Sequence, residues 1–216
     1  MIYAWPFCAP VAVDDLVGAV KDHLAAARFP EARAAVDRAF GEAPDAPEVR
    51  EVYAAVYLAH GSRLSGEARN KRREEIQARG RPGEPFEDSD AVRAAFRDAL
   101  AAFDRVLAAE PDHAKALALK AQLLFRVDRA NRAQALAAYD RAVRALEATV
   151  PEGRARETGR KNLLRDRRRI EKPCDWCDDT GFCTECSGSG SRSLLGFRRR
   201  CDACLGHGVC KKCGVL

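Results

Sequence analysis

The chain has 216 residues, 47% of them apolar, which is enough for one ordinary domain with a buried core and a small appendage. The formal net charge of +5 belongs to the carboxyl end: residues 151–216 carry 15 Lys and Arg against 9 Asp and Glu, and residues 1–150 carry 22 against 23. No apolar run approaches the roughly 20 residues that a membrane-spanning helix needs, so we expect a soluble protein.

The composition favours helix and a reducing compartment. Alanine, arginine, leucine and glutamate dominate the first three quarters of the chain, and they lose little side-chain entropy in a helix. The first residues contain no basic segment ahead of the apolar ones, so we expect no secretory signal and a cytoplasmic location. Eight of the nine cysteines follow residue 173, and closely paired cytoplasmic cysteines usually bind metal. The ninth, Cys8, is interpreted as a small buried apolar residue.

A local pattern recurs three times in the first 150 residues. A large apolar residue lies four residues after one small side chain and three residues before another, as in Ala32/Val36/Ala39, Ala99/Phe103/Val106 and Ala135/Tyr139/Ala142. These spacings place each trio on one helix face. The central residues are 67 and 36 positions apart, so the first gap is close to two periods of about 34 residues. Pro44 and Pro111 are predicted to end the first two helices.

This pattern resembles the tetratricopeptide repeat over about residues 12–150. The resemblance implies an array of antiparallel helical hairpins with a concave surface that binds peptide segments of partner proteins; an array that merely supports the tail is the alternative. Three features depart from the family pattern: Val36 replaces an aromatic residue, Glu147 replaces a proline, and residues 79–90 interrupt the stack. The predicted helices are Val13–Ala27, Pro30–Phe40, Pro47–Gly61, Ser65–Arg79, Asp88–Ala109, Asp112–Val127 and Arg132–Thr149.

The next segment is strongly basic. Residues 154–172 contain nine positive and three negative side chains, and we interpret residues 151–172 as a basic helical linker. A charged helix of this kind is usually solvated.

The tail, residues 173–216, contains four Cys-x-x-Cys pairs, and eight thiols suffice for two tetrahedral zinc sites. Zinc bound by four thiolates contributes folding energy directly, so a segment with almost no apolar core can be ordered around it. Two pairs continue as Cys-x-x-Cys-x-Gly-x-Gly, a turn whose backbone needs positive φ. The first pair keeps Gly181 and has Asp179 in place of the other glycine, and the last keeps Gly214.

These motifs resemble the cysteine-rich zinc domain of the DnaJ chaperone family over about residues 173–214. The resemblance implies that the outer two pairs share one zinc and the inner two share the other. The first zinc then takes Cys174, Cys177, Cys210 and Cys213, and the second takes Cys183, Cys186, Cys201 and Cys204. The His-Pro-Asp of a J domain does not occur, so we expect no stimulation of that family's ATPase partner. Disulfides and redox-active Cys-x-x-Cys pairs are the alternatives to structural zinc.

The segment between the inner pairs, residues 187–200, is predicted to be a hairpin with a tip that binds partner protein. Apolar side chains beside cationic ones suit an extended polypeptide, and the residues are Leu194, Leu195, Phe197, Arg198, Arg199 and Arg200. The alternative is that the three apolar side chains fold back onto the zinc core or the last helix.

We therefore expect a mainly α fold: a tetratricopeptide-like array of antiparallel helical hairpins (1–150), a basic helical linker (151–172) and a small β-hairpin module with two zinc ions (173–216). The expected function is non-catalytic, that of a protein-binding adaptor or chaperone-like assembly factor. The second hypothesis is RNA or DNA binding, with phosphate contacts from 154–172 and 198–200 and from Lys211 and Lys212, and stacking by Trp176, Phe182 and Phe197. A thiol–disulfide oxidoreductase is the third.

Overall fold

The structure is a computed structural model that describes residues 12–79 and 86–213; Cys8, Gly214 and the amino-terminal segment lie outside it. The chain divides into two compact units, the first ending at Ala59 and the second beginning at His60. Over the described residues it forms seven α-helices and a carboxyl-terminal two-stranded antiparallel sheet, which confirms the mainly α class. Within those residues every helix is too short or too polar to cross a lipid bilayer.

The helices are α1 (Val13–Ala25), α2 (Phe29–Glu42), α3 (Pro47–Arg79), α4 (Asp90–Ala109), α5 (Ala114–Val127), α6 (Arg132–Thr149) and α7 (Arg154–Glu171). The strands are β1 (Ser191–Leu194) and β2 (Phe197–Arg200), and short 3-10 turns lie at Arg129–Asn131 and Thr184–Cys186. Proline follows α2 and α4 within two residues of their last residue, as predicted, at Pro44 and Pro111.

The first unit consists of α1, α2 and the beginning of α3. Its core contains Val17, Ala39 and Val49, one from each helix. The ring of Phe40 on α2 stacks on that of Tyr53 on α3, with 4.3 Å between the ring centroids. Two short-linked helices therefore close against the start of the third, as expected for a helical hairpin followed by the first helix of the next one.

The repeated trios form buried helix faces. Val36, Phe103 and Tyr139 are at most 3% exposed, and all six of their small companions are completely buried. A large side chain between small ones lets a neighbouring helix approach closely. The prediction that each trio marks the packed face of its helix is confirmed.

Helix α3 differs from the prediction. The expected break between Gly61 and Ser65 does not occur, and one helix of 33 residues replaces the predicted pair. A Cβ at Gly61 would lie 2.6 Å from the Phe103 ring on α4, so the glycine serves close helix packing rather than a turn. No proline interrupts residues 48–79, and glycine alone costs a helix only about 1 kcal/mol.

The second unit contains the rest of α3, helices α4 to α7 and the cysteine-rich tail. Ser89 begins α4 by accepting a hydrogen bond at Oγ from the Val92 amide (3.2 Å). Helix α7, the segment interpreted as a linker, packs on the preceding helices through Leu163 and Ile170, and Ile170 joins a core cluster with Phe125. The basic segment is therefore amphipathic, and its apolar face packs against the preceding helices.

The tail packs directly on the helices of the second unit. Ile76, near the end of α3, and Phe86 share one buried cluster with Cys177, Val209 and Cys210. The Phe86 ring also meets that of Phe182 edge to face, with 5.7 Å between centroids. The extension of α3 beyond the predicted break therefore provides the surface on which the tail rests.

Candidate metal centres

The eight paired cysteines form two groups of four sulfur atoms. Within each group all four Sγ atoms lie within 4.8 Å of one another. The groups are Cys174, Cys177, Cys210 and Cys213, and Cys183, Cys186, Cys201 and Cys204. The structure thus brings together outer pair with outer pair and inner pair with inner pair, and seven of the eight residues are buried.

The distances between sulfur atoms suit a tetrahedral metal ion. The Sγ atoms of Cys174 and Cys210 are 3.9 Å apart, and those of Cys186 and Cys204 are 3.7 Å apart. Four sulfurs at about 2.3 Å from a central ion are about 3.8 Å from one another. A disulfide would need about 2.05 Å. The thiols of the described residues are therefore free cysteines arranged as metal ligands.

Two reciprocal turns build the inner site. The Cys183 amide donates to the Gly208 carbonyl oxygen, and the Cys201 amide donates to the Gly190 carbonyl oxygen, both over 3.0 Å. A Cβ at Gly208 would lie 2.2 Å from the Gly188 carbonyl oxygen, and glycine is therefore required there for space as well as for its φ of +71°. The two Cys-x-x-Cys-x-Gly-x-Gly motifs hold each other in place through their backbones.

Four positive-φ positions in these turns have no glycine. The residue directly after the second cysteine is left-handed in the first three pairs: Asp178 (φ 47°), Ser187 (φ 48°) and Leu205 (φ 52°). Asp179 is also left-handed (φ 59°), at the position where glycine was expected. Asp and Ser tolerate this region better than most residues, whereas Leu does not, and no feature of the sequence marks Leu205 as strained.

Hydrogen bonds from backbone amides and burial both act on the protonation of the cysteine thiols. The Gly208 amide donates to Cys204 Sγ over 3.3 Å, and the Lys212 amide donates to Cys210 Sγ over 3.4 Å. Burial raises the pKa of the Cys177 and Cys183 thiols to about 11. Because thiolates are the ligand form, a cation is needed to hold these two side chains deprotonated at neutral pH.

The structure adds groups from the helices that the sequence did not indicate. The Arg129 guanidinium donates from Nη2 to Cys213 Sγ over 3.3 Å, and Arg132 forms an ion pair with Asp179. Arg129 and Cys213 are 84 residues apart, so no local pattern connects them. The outer site is therefore joined to the helices by charge as well as by the apolar contacts of Ile76 and Phe86.

The predicted partner-binding residues lie on the hairpin formed by β1 and β2. The register pairs Leu194 with Phe197, and Leu195 lies in the turn between them. The side chains of Leu194, Phe197 and Leu195 are 51%, 75% and 91% exposed, respectively. With this exposure the three residues do not fold back onto the cysteine groups or the last helix, which was the alternative. Arg198, Arg199 and Arg200 follow along β2 and are exposed.

Of the residues that the nucleic-acid hypothesis names, some are paired or packed within the protein and others are exposed. On α7, Arg160 pairs with Glu147 (2.8 Å) and Arg167 with Asp140 (2.6 Å), both on α6. Phe182 packs against Phe86 rather than standing free for base stacking. Trp176 is 62% exposed, and Lys212 Nζ lies 4.7 Å from its ring centroid.

Comparison with known proteins adds nothing to these observations. No family model, no curated protein and no solved structure matches this chain.

Proposed function

We propose that the chain is a non-catalytic zinc protein of the cytoplasm that binds polypeptide, acting as an adaptor or a chaperone-like assembly factor. Two zinc ions would order the tail, and the hairpin on the inner site would contact the partner. As part of this proposal, we interpret the helices as tetratricopeptide-like repeats and the tail as a DnaJ-type zinc domain. The exposed apolar tip of the hairpin is the observation that carries it.

Zinc is the metal that best fits the two sites. Four thiolates in a tetrahedron select zinc or iron over harder ions. With every cysteine of each group used as a ligand, neither site keeps the open position that a catalytic metal needs. Elemental analysis of purified protein should give two zinc per chain. Iron would be recognised by its visible absorption, which zinc lacks.

A polypeptide partner is favoured by the form of the hairpin. Soluble proteins seldom expose neighbouring large apolar side chains without a partner, and Leu194, Leu195 and Phe197 are clustered at one turn. In the described part of the chain, β1 and β2 pair only with each other, so each leaves one edge unpaired. An extended peptide can add to such an edge while its side chains contact the apolar tip.

The test replaces Leu194, Leu195 and Phe197 with serine. Binding of an unfolded, reduced client protein to the holoprotein should be abolished, while two metal ions remain bound, because none of the three side chains belongs to either metal site. Phe29→Ser is the matched control, since Phe29 is 51% exposed on α2, as exposed as Leu194. Unchanged client binding by the triple variant refutes the proposed function.

RNA or DNA binding is the second proposal, and specific features of the surface limit it. Two arginines of α7 are already paired with carboxylates on α6, although Arg198, Arg199 and Arg200 on β2 and Lys211 are exposed. Affinity for a generic oligonucleotide that falls steeply with added salt would favour this function. Thiol–disulfide exchange is the third hypothesis, and it would first require release of a metal-bound thiolate. Exchange activity of the zinc-loaded protein that is accompanied by release of zinc would favour it.

A further inference from the structure

The outer face of helix α7 carries a row of positive side chains. Successive residues of an α-helix are about 100° apart around its axis, so five exposed cations of α7 and its C-cap fall within an arc of about 60°. Leu163 and Ile170, which pack on the preceding helices, lie on the opposite side of α7, and the row therefore faces solvent. Its members are Arg154, Lys161, Arg165, Arg168 and Lys172.

The arginines of α7 that pair with α6 lie on another side of the helix. Arg160 contacts Glu147 (2.8 Å) and Arg167 contacts Asp140 (2.6 Å). Both arginines are about 120° around the helix from the middle of the row. The ion pairs between the two helices therefore use one flank of α7 and do not involve the row.

Carboxylates of α7 itself offset only part of the positive charge. Asp166 Oδ1 lies 3.2 Å from Arg165 Nε, and Glu157 is exposed at one edge of the row. Five cations against these two carboxylates leave a net charge of +3 on this face. Within the described part of the chain, the members of the row that form no ion pair are Arg154, Lys161, Arg168 and Lys172.

The side chains of this face suit phosphate groups rather than bases or lipid. The row and Thr158 beside it contain no aromatic side chain to stack on unpaired bases and no apolar one to enter a bilayer. The row extends over about 27 Å. Double-stranded nucleic acid presents one phosphate charge per roughly 1.7 Å of its axis, so a straight row of this length can meet several phosphates at once. The Thr158 hydroxyl can donate a hydrogen bond to a phosphate as well.

We propose that the outer face of α7 binds the phosphate backbone of double-stranded nucleic acid without reading its sequence. The inference goes beyond polypeptide binding, because α7 is separate from the hairpin that would contact the polypeptide. It rests on the second proposed function, nucleic-acid binding, and assigns that function to one helix face and to one form of nucleic acid. Release of counterions from the duplex provides the affinity.

The experiment measures binding of a fluorescent DNA duplex of mixed sequence, longer than the row, to the zinc-loaded full-length chain by anisotropy. The salt concentration is varied from about 50 to 200 mM. If each member of the row contacts one phosphate, the logarithm of the affinity should fall against the logarithm of the salt concentration with a slope of about −4.5. One strand of the same duplex, tested alone, should bind more weakly.

The double variant K161Q/R168Q removes two members of the row that form no ion pair. The salt dependence should become shallower by about 2 in this slope, and two metal ions should remain bound, because neither side chain belongs to a metal site. The matched control is K21Q/R28Q, which removes one lysine and one arginine from exposed positions of the first unit. This control should bind the duplex with the slope of the unaltered chain.

Equal loss of duplex affinity in both double variants would overturn the inference, since net charge rather than α7 would then attract the duplex. A slope that changes in Arg199→Gln but not in K161Q/R168Q would move the contact to β2, which overturns the inference and keeps nucleic-acid binding. Tighter binding of the single strand, or of vesicles containing phosphatidylserine, also overturns it. Absence of duplex binding by the unaltered chain overturns this inference and the second proposed function together, and it leaves polypeptide binding by the hairpin standing.

Discussion

The Arg129 guanidinium donates a hydrogen bond from Nη2 to Cys213 Sγ, with 3.3 Å between the two atoms. Arg129 lies in the 3-10 turn between α5 and α6. Its Nη1 donates to the Phe125 carbonyl oxygen (2.9 Å), and its guanidinium carbon lies 3.8 Å from the centroid of the Phe125 ring. Helix α5 therefore holds the arginine in place where it stabilises negative charge on a sulfur of the outer site.

Substitution of Arg129 should weaken the outer metal site and spare the inner one. Groups that hydrogen-bond to metal ligands typically contribute 10- to 100-fold in metal affinity, and we expect a loss of about that size for Arg129→Gln. Competition with a chromogenic chelator measures the two sites as separate phases. The control is Arg144→Gln, an exposed arginine on α6. Equal weakening of both phases would show a general effect on folding instead of a contact with Cys213.

Replacing Gly61 should reveal why α3 has a glycine at the predicted break. Alanine favours helix by about 1 kcal/mol over glycine, but at this position its Cβ would lie 2.6 Å from the Phe103 ring. Overpacking of this kind costs about 1–3 kcal/mol, so Gly61→Ala should lower the midpoint of urea unfolding.

Gly66 on the same helix provides the matched control for that prediction. The nearest atom to a methyl group added at Gly66 would be the flexible end of Arg69, 3.9 Å away. Gly66→Ala should therefore stabilise the protein by about 1 kcal/mol. A stabilising Gly61→Ala would mean that α3 and α4 do not pack as closely as the structure has them.

Local patterns predicted much of the helical part, because the evidence for each helix lies within a few residues of it. The trio around Phe103 identified a packed face, and Pro111 indicated where its helix ends. The same reasoning was wrong for α3. Gly61 was interpreted as a break because a local pattern does not contain Phe103, which lies 42 residues later and gives the glycine its role.

In the tail, too, features set by neighbouring residues could be predicted and contacts between distant segments could not. Spacing and glycines indicated the cysteine turns, and the pairing of outer with outer turns came from a family resemblance rather than from the residues. The contacts of Arg129, Ile76 and Phe86 with the tail could not be predicted. These contacts join segments that are far apart in the chain. The residues next to Arg129, Ile76 and Phe86 in the sequence contain no motif that would indicate a contact with the tail.

Gly208→Ala should disrupt the inner metal site. Its φ of +71° disfavours any L side chain, and the new Cβ would lie 2.2 Å from the Gly188 carbonyl oxygen and 2.7 Å from Ile76 Cγ2. The Gly188 oxygen is a backbone atom of the facing turn, so it cannot move away without opening the paired turns. We expect loss of one metal ion per chain, measured by elemental analysis after dialysis.

Gly196→Ala separates backbone strain from crowding in that experiment. Gly196 also has positive φ (+82°), but nothing lies within 4 Å of the position of its Cβ. Only the conformational penalty of about 1–2 kcal/mol applies, so both metal ions should stay bound and the melting temperature should fall slightly. Loss of metal from Gly196→Ala as well would show that the hairpin turn, and not the close approach of Gly208 to Gly188, controls the inner site.

Metal affinity should increase with pH, because metal and protons compete for the same sulfurs. Burial raises the pKa of Cys177 and Cys183 to about 11, so without metal both are thiols at neutral pH. Metal binding must therefore release protons, and acid must favour the metal-free form. Calorimetric titration of metal-free, reduced protein in two buffers of different ionisation enthalpy should give different heats at the same pH. Identical heats would mean that the sulfurs are already ionised before the metal arrives, which their burial opposes.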